Sequence, residues 1–114
     1  MASSTAECRT GTWKSRVHRA VGAPRVICVD GEVDAANAKL LGALLLATIR
    51  ETPPQVLLDA SALRFIDSSG IRELLRAQAC AAMTGVAFGI VSPQPAVRRV
   101  FELTDVADLI VGTH

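Results

Sequence analysis

The chain has 114 residues, 50% of them apolar and 20% charged, with a formal charge of +1 from 12 basic and 11 acidic side chains. This is the size and composition of one compact α/β domain that can bury its own core, and it excludes a disordered chain. The near-balanced charge leaves no basic footprint for nucleic acid, and the longest apolar run, Leu40 to Ile49 between Lys39 and Arg50, is too short for the roughly 20 residues of a membrane-spanning helix.

Met1 to Gly11 is rich in Ser, Thr and Ala and lacks the apolar stretch of a signal peptide, so residues 1–11 are expected to be a disordered start and residues 12–114 the domain. Trp13 to Val21 alternates loosely, Gly22-Ala23-Pro24 reads as a turn, and Arg25 to Val29 is β-branched, which together predict an antiparallel hairpin. Leu41, Leu44, Leu45 and Ile49 recur at helical spacing and stop at Thr52-Pro53-Pro54, giving a first helix over about Ala35 to Glu51.

Val56 to Leu58 reads as a short central strand, apolar on both faces. The following helix is expected to bury Ile71, Leu74, Leu75, Gln78, Ala79 and Ala82, to turn Arg72, Glu73 and Arg76 outward, and to stop at Thr84-Gly85. Val86 to Val91 is another buried strand. Pro95 opens a third helix with Val97, Val100, Phe101 and Thr104 on its face, and Val106 to Val111 forms a short helical or extended tail. Strands joined through helices are parallel neighbours, so with the opening hairpin the sheet is mixed.

Cys8, Cys28 and Cys80 are widely spaced, without a Cys-x-x-Cys pair, which favours free thiols in a reducing compartment. Cys28 and Cys80 fall in apolar patterns and read as core. His18 and His114 offer no metal set, and no phosphate-cradling Gly-x-x-x-x-Gly-Lys run is present, so neither metal nor cofactor is expected.

The stretch with the most chemical content is Asp67-Ser68-Ser69-Gly70, between a central strand and a helix. The first N–H groups of a helix lack partners and carry partial positive charge, so an oxyanion is favoured there and a serine is a natural phosphoacceptor. Asp and Ser are equally the preferred helix caps, so capping is the plain alternative.

Three segments in order resemble the STAS domains of bacterial anti-sigma factor antagonists. They are Val29-Asp30-Gly31-Glu32-Val33-Asp34, then Leu58-Asp59-Ala60-Ser61 leading to Phe65-Ile66-Asp67-Ser68-Ser69-Gly70-Ile71, and Arg99-Val100-Phe101-Glu102-Leu103-Thr104. The resemblance implies a STAS-like α/β fold, a mixed sheet of four to five strands packed with three to four helices, in a cytoplasmic, non-enzymatic switch protein. It implies that Ser68 is phosphorylated by an anti-sigma factor of the serine-kinase type, with Ser69 the second choice. The unphosphorylated form then binds that anti-sigma factor and releases a sigma factor, phosphorylation abolishes binding, and a PP2C-type phosphatase restores it. By the same resemblance Glu32, Asp34, Asp67, Ser69, Gly70 and Arg72 are expected on the partner-facing surface. Arg72 and Asp105 depart from the family, where small residues are usual.

Rival readings are weaker. Ser68 is not in Gly-x-Ser-x-Gly, and neither histidine falls where a catalytic base is expected, which argues against an enzyme. A receiver domain would use Asp59 at the end of its strand, but it needs a late lysine, and Lys14 and Lys39 are both early. A STAS scaffold, sensory module or transport subunit without a phosphoserine switch keeps the fold and changes the function.

Overall fold

A computed structural model describes residues 3–10, 13–20 and 22–111. In chain order the elements are strands β1 (Ser3–Thr10), β2 (Trp13–Ala20) and β3 (Arg25–Val33), helix α1 (Ala38–Arg50), strands β4 (Gln55–Asp59) and β5 (Leu63–Ile66), helix α2 (Ser68–Thr84), strand β6 (Ala87–Val91) and helix α3 (Pro95–Glu102), followed by a 3-10 turn at Ala107–Leu109.

The sheet is six-stranded, ordered β1-β2-β3-β4-β6, with β5 as a short extra strand on β3. β1, β2 and β3 are antiparallel neighbours, whereas β4 and β5 run parallel to β3 and β6 parallel to β4. The predicted hairpin and mixed sheet are therefore present. β4 pairs with residues 25–28 of β3 and β5 with residues 31–33, so the two share one edge, and the register shifts between Gly31 and Glu32 where one hands over to the other. Gly31 has φ 133°, a conformation open to glycine at low cost, and its N–H donates to the Ala62 carbonyl at 3.1 Å.

Strand periodicity sorts the two faces. Ile27, Val29 and Val33 of β3, with Val56 and Leu58 of β4 and Val17 of β2, are buried in the common core, to which α1 contributes Leu41, Leu45 and Ile49 and α2 contributes Leu74 and Ala77. Full burial of each such aliphatic side chain is worth about 1.5–3 kcal/mol, so α1 is held by its tertiary face more than by intrinsic propensity. On the opposite face Lys14, Arg16 and His18 are exposed, and Cys28, Asp30 and Asp59 are half-buried.

Some expectations are corrected. Ser3–Thr10, expected within a disordered start, forms β1, paired to β2 from Ser3↔Ala20 to Thr10↔Trp13. A backbone ladder needs no particular side chains, and the outer edge of β2 supplies the template. Met1, Ala2 and Gly11 lie outside the described residues, as does Val21 at the end of the predicted hairpin strand. α1 starts at Ala38 rather than Ala35 because residues 35–37 form a turn held by polar side chains described below. On α2, Ala77 and Ala81 are buried while Ala79 and Ala82 are exposed. Alanines occur all round this helix, and the larger Ile71 and Leu74 set which way it faces.

Glu73 is not outward either, being only 5% exposed. It lies over Gly42 of α1, where a Cβ would collide with its carboxylate, and Arg76 approaches it at 3.6 Å. The missing side chain at Gly42 opens the space in which a carboxylate fits between packed helices.

Candidate functional site

The ends of β3 and β5 are tied together at one rim of the sheet. The Asp67 N–H donates to the Val33 carbonyl at 3.3 Å, immediately before the chain turns into α2. Asp67 is extended (φ −109°, ψ −171°), and its Oδ1 accepts from the N–H groups of Ser69 at 2.9 Å and Gly70 at 3.4 Å. Its carbonyl accepts from the Ile71 N–H at 3.0 Å, which opens the helical ladder. Asp67 is thus an N-cap, its carboxylate meeting the orphan donor of Ser69 closely and that of Gly70 at longer range.

This cap fixes how the two serines are presented. Ser68 is the first residue of α2 and is exposed, with no hydrogen bond from its hydroxyl to another described residue. Ser69 is half-buried. Gly70 is buried because the helix start lies directly against the sheet, where an added Cβ would stand 2.5 Å from Ile66 Cγ1 and 2.9 Å from Val33 Cγ1. The only side chain that fits there is none.

Asp34 and Glu32 come to the same rim from β3. The Asp34 side chain accepts from the Ala36 N–H at 3.0 Å, and its own N–H donates to Asn37 Oδ1 at 2.9 Å. Asn37 Nδ2 donates to the Glu32 carbonyl at 3.1 Å. This buried asparagine therefore locks the β3–α1 junction. The Asp67–Val33 bond sets the end of β3, with Glu32 and Asp34 beside it in sequence, against the start of α2 with Ser68, Ser69 and Gly70. Arg72 is exposed one helical turn beyond Ser68.

Asn37 and Phe65 were missed. Asn37 follows Asp34 at turn spacing, a signal readable as Asp-x-x-Asn. Phe65 is 47% exposed and stands in register with Glu32 across the β3–β5 pair, adding an aromatic surface beside the acidic rim. Its exposure was unreadable without the handover between β4 and β5.

A concavity of about 250 Å³ lies on the open face of the sheet, lined by residues including Lys14, Arg16, Cys28, Asp30, Asp59 and Ser61. The Cys28 thiol donates to Asp59 Oδ2 at 3.7 Å, and its pKa is raised by burial and then by the Asp59 charge. Asp59 Oδ1 accepts from the Ser61 N–H at 2.9 Å, which closes β4 as a structural residue would. Among the described residues no cluster of His, Cys, Asp and Glu is arranged to hold a metal ion, and no helix is long and apolar enough to cross a membrane.

The STAS domain family model matches residues 13–114. No curated protein matches the chain. Among solved structures, an anti-sigma factor antagonist from Mycobacterium paratuberculosis is 28% identical with a TM-score of 0.76, over 88% of this chain and 84% of that one. The anti-sigma factor antagonist SpoIIAA in its unphosphorylated form is similar in fold, at 20% identity and a TM-score of 0.75 over 88% of each chain. The murine anion transporter Slc26a9 contains a similar fold, at 18% identity and a TM-score of 0.68, over 79% of this chain and 15% of the transporter. The mixed sheet, its helices and the matched span agree, and the chain belongs to the STAS domain family.

Proposed function

We propose that this STAS domain is an anti-sigma factor antagonist, a cytoplasmic and non-catalytic switch controlled by phosphorylation of Ser68. The observation that carries the reading is the exposed Ser68 at the head of α2, capped by Asp67 and flanked by Glu32 and Asp34, in a fold shared with proteins described as anti-sigma factor antagonists. In this reading the unmodified rim binds an anti-sigma factor of the serine-kinase type, and a sigma factor is released. The kinase transfers the γ-phosphoryl group of ATP to Ser68 Oγ, with loss of the hydroxyl proton and formation of ADP. A PP2C-type phosphatase hydrolyses the phosphate and resets the switch.

The charge change suits the place. A phosphate adds about −1.5 to −2 charges at neutral pH to a rim already holding three carboxylates, Glu32, Asp34 and Asp67. Turning a partner from 99% bound to 99% free takes about 5.5 kcal/mol of differential affinity. Desolvation and repulsion of one phosphate pressed into an interface are effects of the right size.

Mass spectrometry of the protein from its own cells, with and without phosphatase treatment, tests the site. Phosphate on Ser68 is expected. Binding of the cognate kinase to Ser68→Ala but not to Ser68→Asp supports the switch, and equal binding to both sinks it. Likeness to the anion transporter extends to fold alone, so a transport role gains nothing from it.

A further inference from the structure

We infer that Arg72 is a built-in phosphate clamp, pairing with a phosphate on Ser68 and holding it along the outer face of α2. The inference rests on the reading of Ser68 as phosphoacceptor and concerns what becomes of the phosphate once present. The Asp67 carboxylate takes the Ser69 N–H at 2.9 Å and faces the Gly70 N–H at 3.4 Å, so the helix N-terminus already holds an anion. A phosphate on Ser68 therefore meets a resident anion at the usual anion site and needs a cation elsewhere.

Arg72 stands four residues on, at the helical spacing that makes side chains neighbours on one face. It is exposed and forms no ion pair with another described residue. Between Ser68 and Leu75 it is the only cationic residue in the sequence, and the next, Arg76, is directed to the buried Glu73 at 3.6 Å. Asp34 after β3 and Asp67 in the cap bring carboxylates to this rim, which offer a phosphate no counter-charge. The planar guanidinium can meet two phosphate oxygens at once, which an ammonium at the same position cannot. Pairing along the helix stabilises the phosphorylated, partner-free form. The same arginine faces outward in the unmodified protein, so it is released for a partner only when Ser68 carries no phosphate.

The test installs phosphoserine at position 68 during translation, by genetic encoding, and follows its second ionisation by phosphorus NMR titration. No kinase or partner is involved, so the outcome is separate from whether cells modify Ser68. The second pKa of a free phosphoserine is about 6, and one additional exposed i,i+4 ion pair lowers it by about 0.3 units. The wild-type arginine should thus give a lower value than Arg72→Gln, with Arg72→Lys in between, and the differences should collapse in 1 M salt. Coincident curves for the wild type and Arg72→Gln, with both folded by circular dichroism, overturn the inference. If the NMR shift is present but Ser68 is unmodified in cells, the clamp stands as chemistry and the switch reading fails.

Discussion

Asp67→Ala removes the cap of α2, and its cost can be worked from the bonds that disappear. The contact to the Ser69 N–H at 2.9 Å is a full hydrogen bond, while that to Gly70 at 3.4 Å lies beyond the usual range and adds little. Loss of an N-cap costs about 1 kcal/mol, and loss of the carboxylate's interaction with the helix dipole about 0.5 kcal/mol more. Urea denaturation of a domain this size has a slope of about 1.5 kcal/mol per M, so the midpoint should fall by about 1 M. Asp67→Asn keeps an acceptor oxygen at the same place and loses only the dipole part, a fall of about 0.3 M by the same slope. Ser68→Ala removes an exposed hydroxyl without a partner and should move the midpoint little. If Asn costs as much as Ala, charge and not capping geometry holds the helix start. If neither moves the midpoint, the packing of Gly70 alone fixes it.

Gly70→Ala drives a Cβ to 2.5 Å from Ile66 Cγ1 and 2.9 Å from Val33 Cγ1, so about 1–3 kcal/mol of overpacking is expected in the same urea assay, and an unchanged midpoint would mean that α2 can shift freely. Burial and Asp59 raise the pKa of Cys28, so in a Cys8→Ser, Cys80→Ser background its alkylation by iodoacetamide at pH 8 should be slower than that of glutathione, and Asp59→Asn should speed it. Equal rates would contradict the raised pKa of this half-buried thiol. Glu51 takes hydrogen bonds from Arg19 at 3.1 Å and Arg25 at 3.3 Å, and its pKa is lowered first by the Arg19 bond, against burial, with Arg25 adding to the lowering. A lowered carboxyl pKa stabilises the fold above the ordinary carboxylate range, and that stability is lost as pH falls through the lowered value. Glu51→Gln should therefore cost on the order of 0.5 kcal/mol near neutral pH, as suits a solvent-screened pair, with the difference from wild type vanishing in acid. A difference that persists below pH 3 would assign the effect to packing.

The parts legible in the sequence are those where one strong period decides the face. Leu41, Leu45 and Ile49 recur at helical spacing and are all fully buried. Gly22-Ala23-Pro24 separates the hairpin strands, and Asp67-Ser68-Ser69-Gly70 marks the start of α2 as read. What escaped depends on partners distant in sequence. β5 is a four-residue strand whose Leu63 and Ile66 are buried and whose Arg64 and Phe65 are exposed, a pattern without the alternation that announces a strand. β1 exists through the edge of β2 rather than through its own composition. Glu73 reads as a solvated charge from every local rule, and only the absent side chain at Gly42 admits it between α1 and α2. Glu32, Asp34 and the serine pair were grouped by order of motifs. Their meeting in space depends on the Asp67 to Val33 hydrogen bond, which no single segment encodes.

The rim also separates residues turned to the fold from residues turned to solvent. Asp67 and Gly70 spend their chemistry inward, one on the backbone donors of α2 and the other on close contact with Val33 and Ile66. Ser68 lies between them in sequence and outside them in space. Since the Asp67 carboxylate already takes the Ser69 N–H, and the Ser68 hydroxyl bonds no described residue, a phosphate on Ser68 would break no structural hydrogen bond of the cap. Its effect would fall on the exposed side, which also carries Glu32, the aromatic face of Phe65 and the guanidinium of Arg72. A serine in the position of Asp67 would couple phosphorylation to helix capping and therefore to stability. Placed one residue later, a phosphorylated serine would change surface charge without removing the cap, which is the condition under the proposed reading for a modification that controls binding and can be reversed.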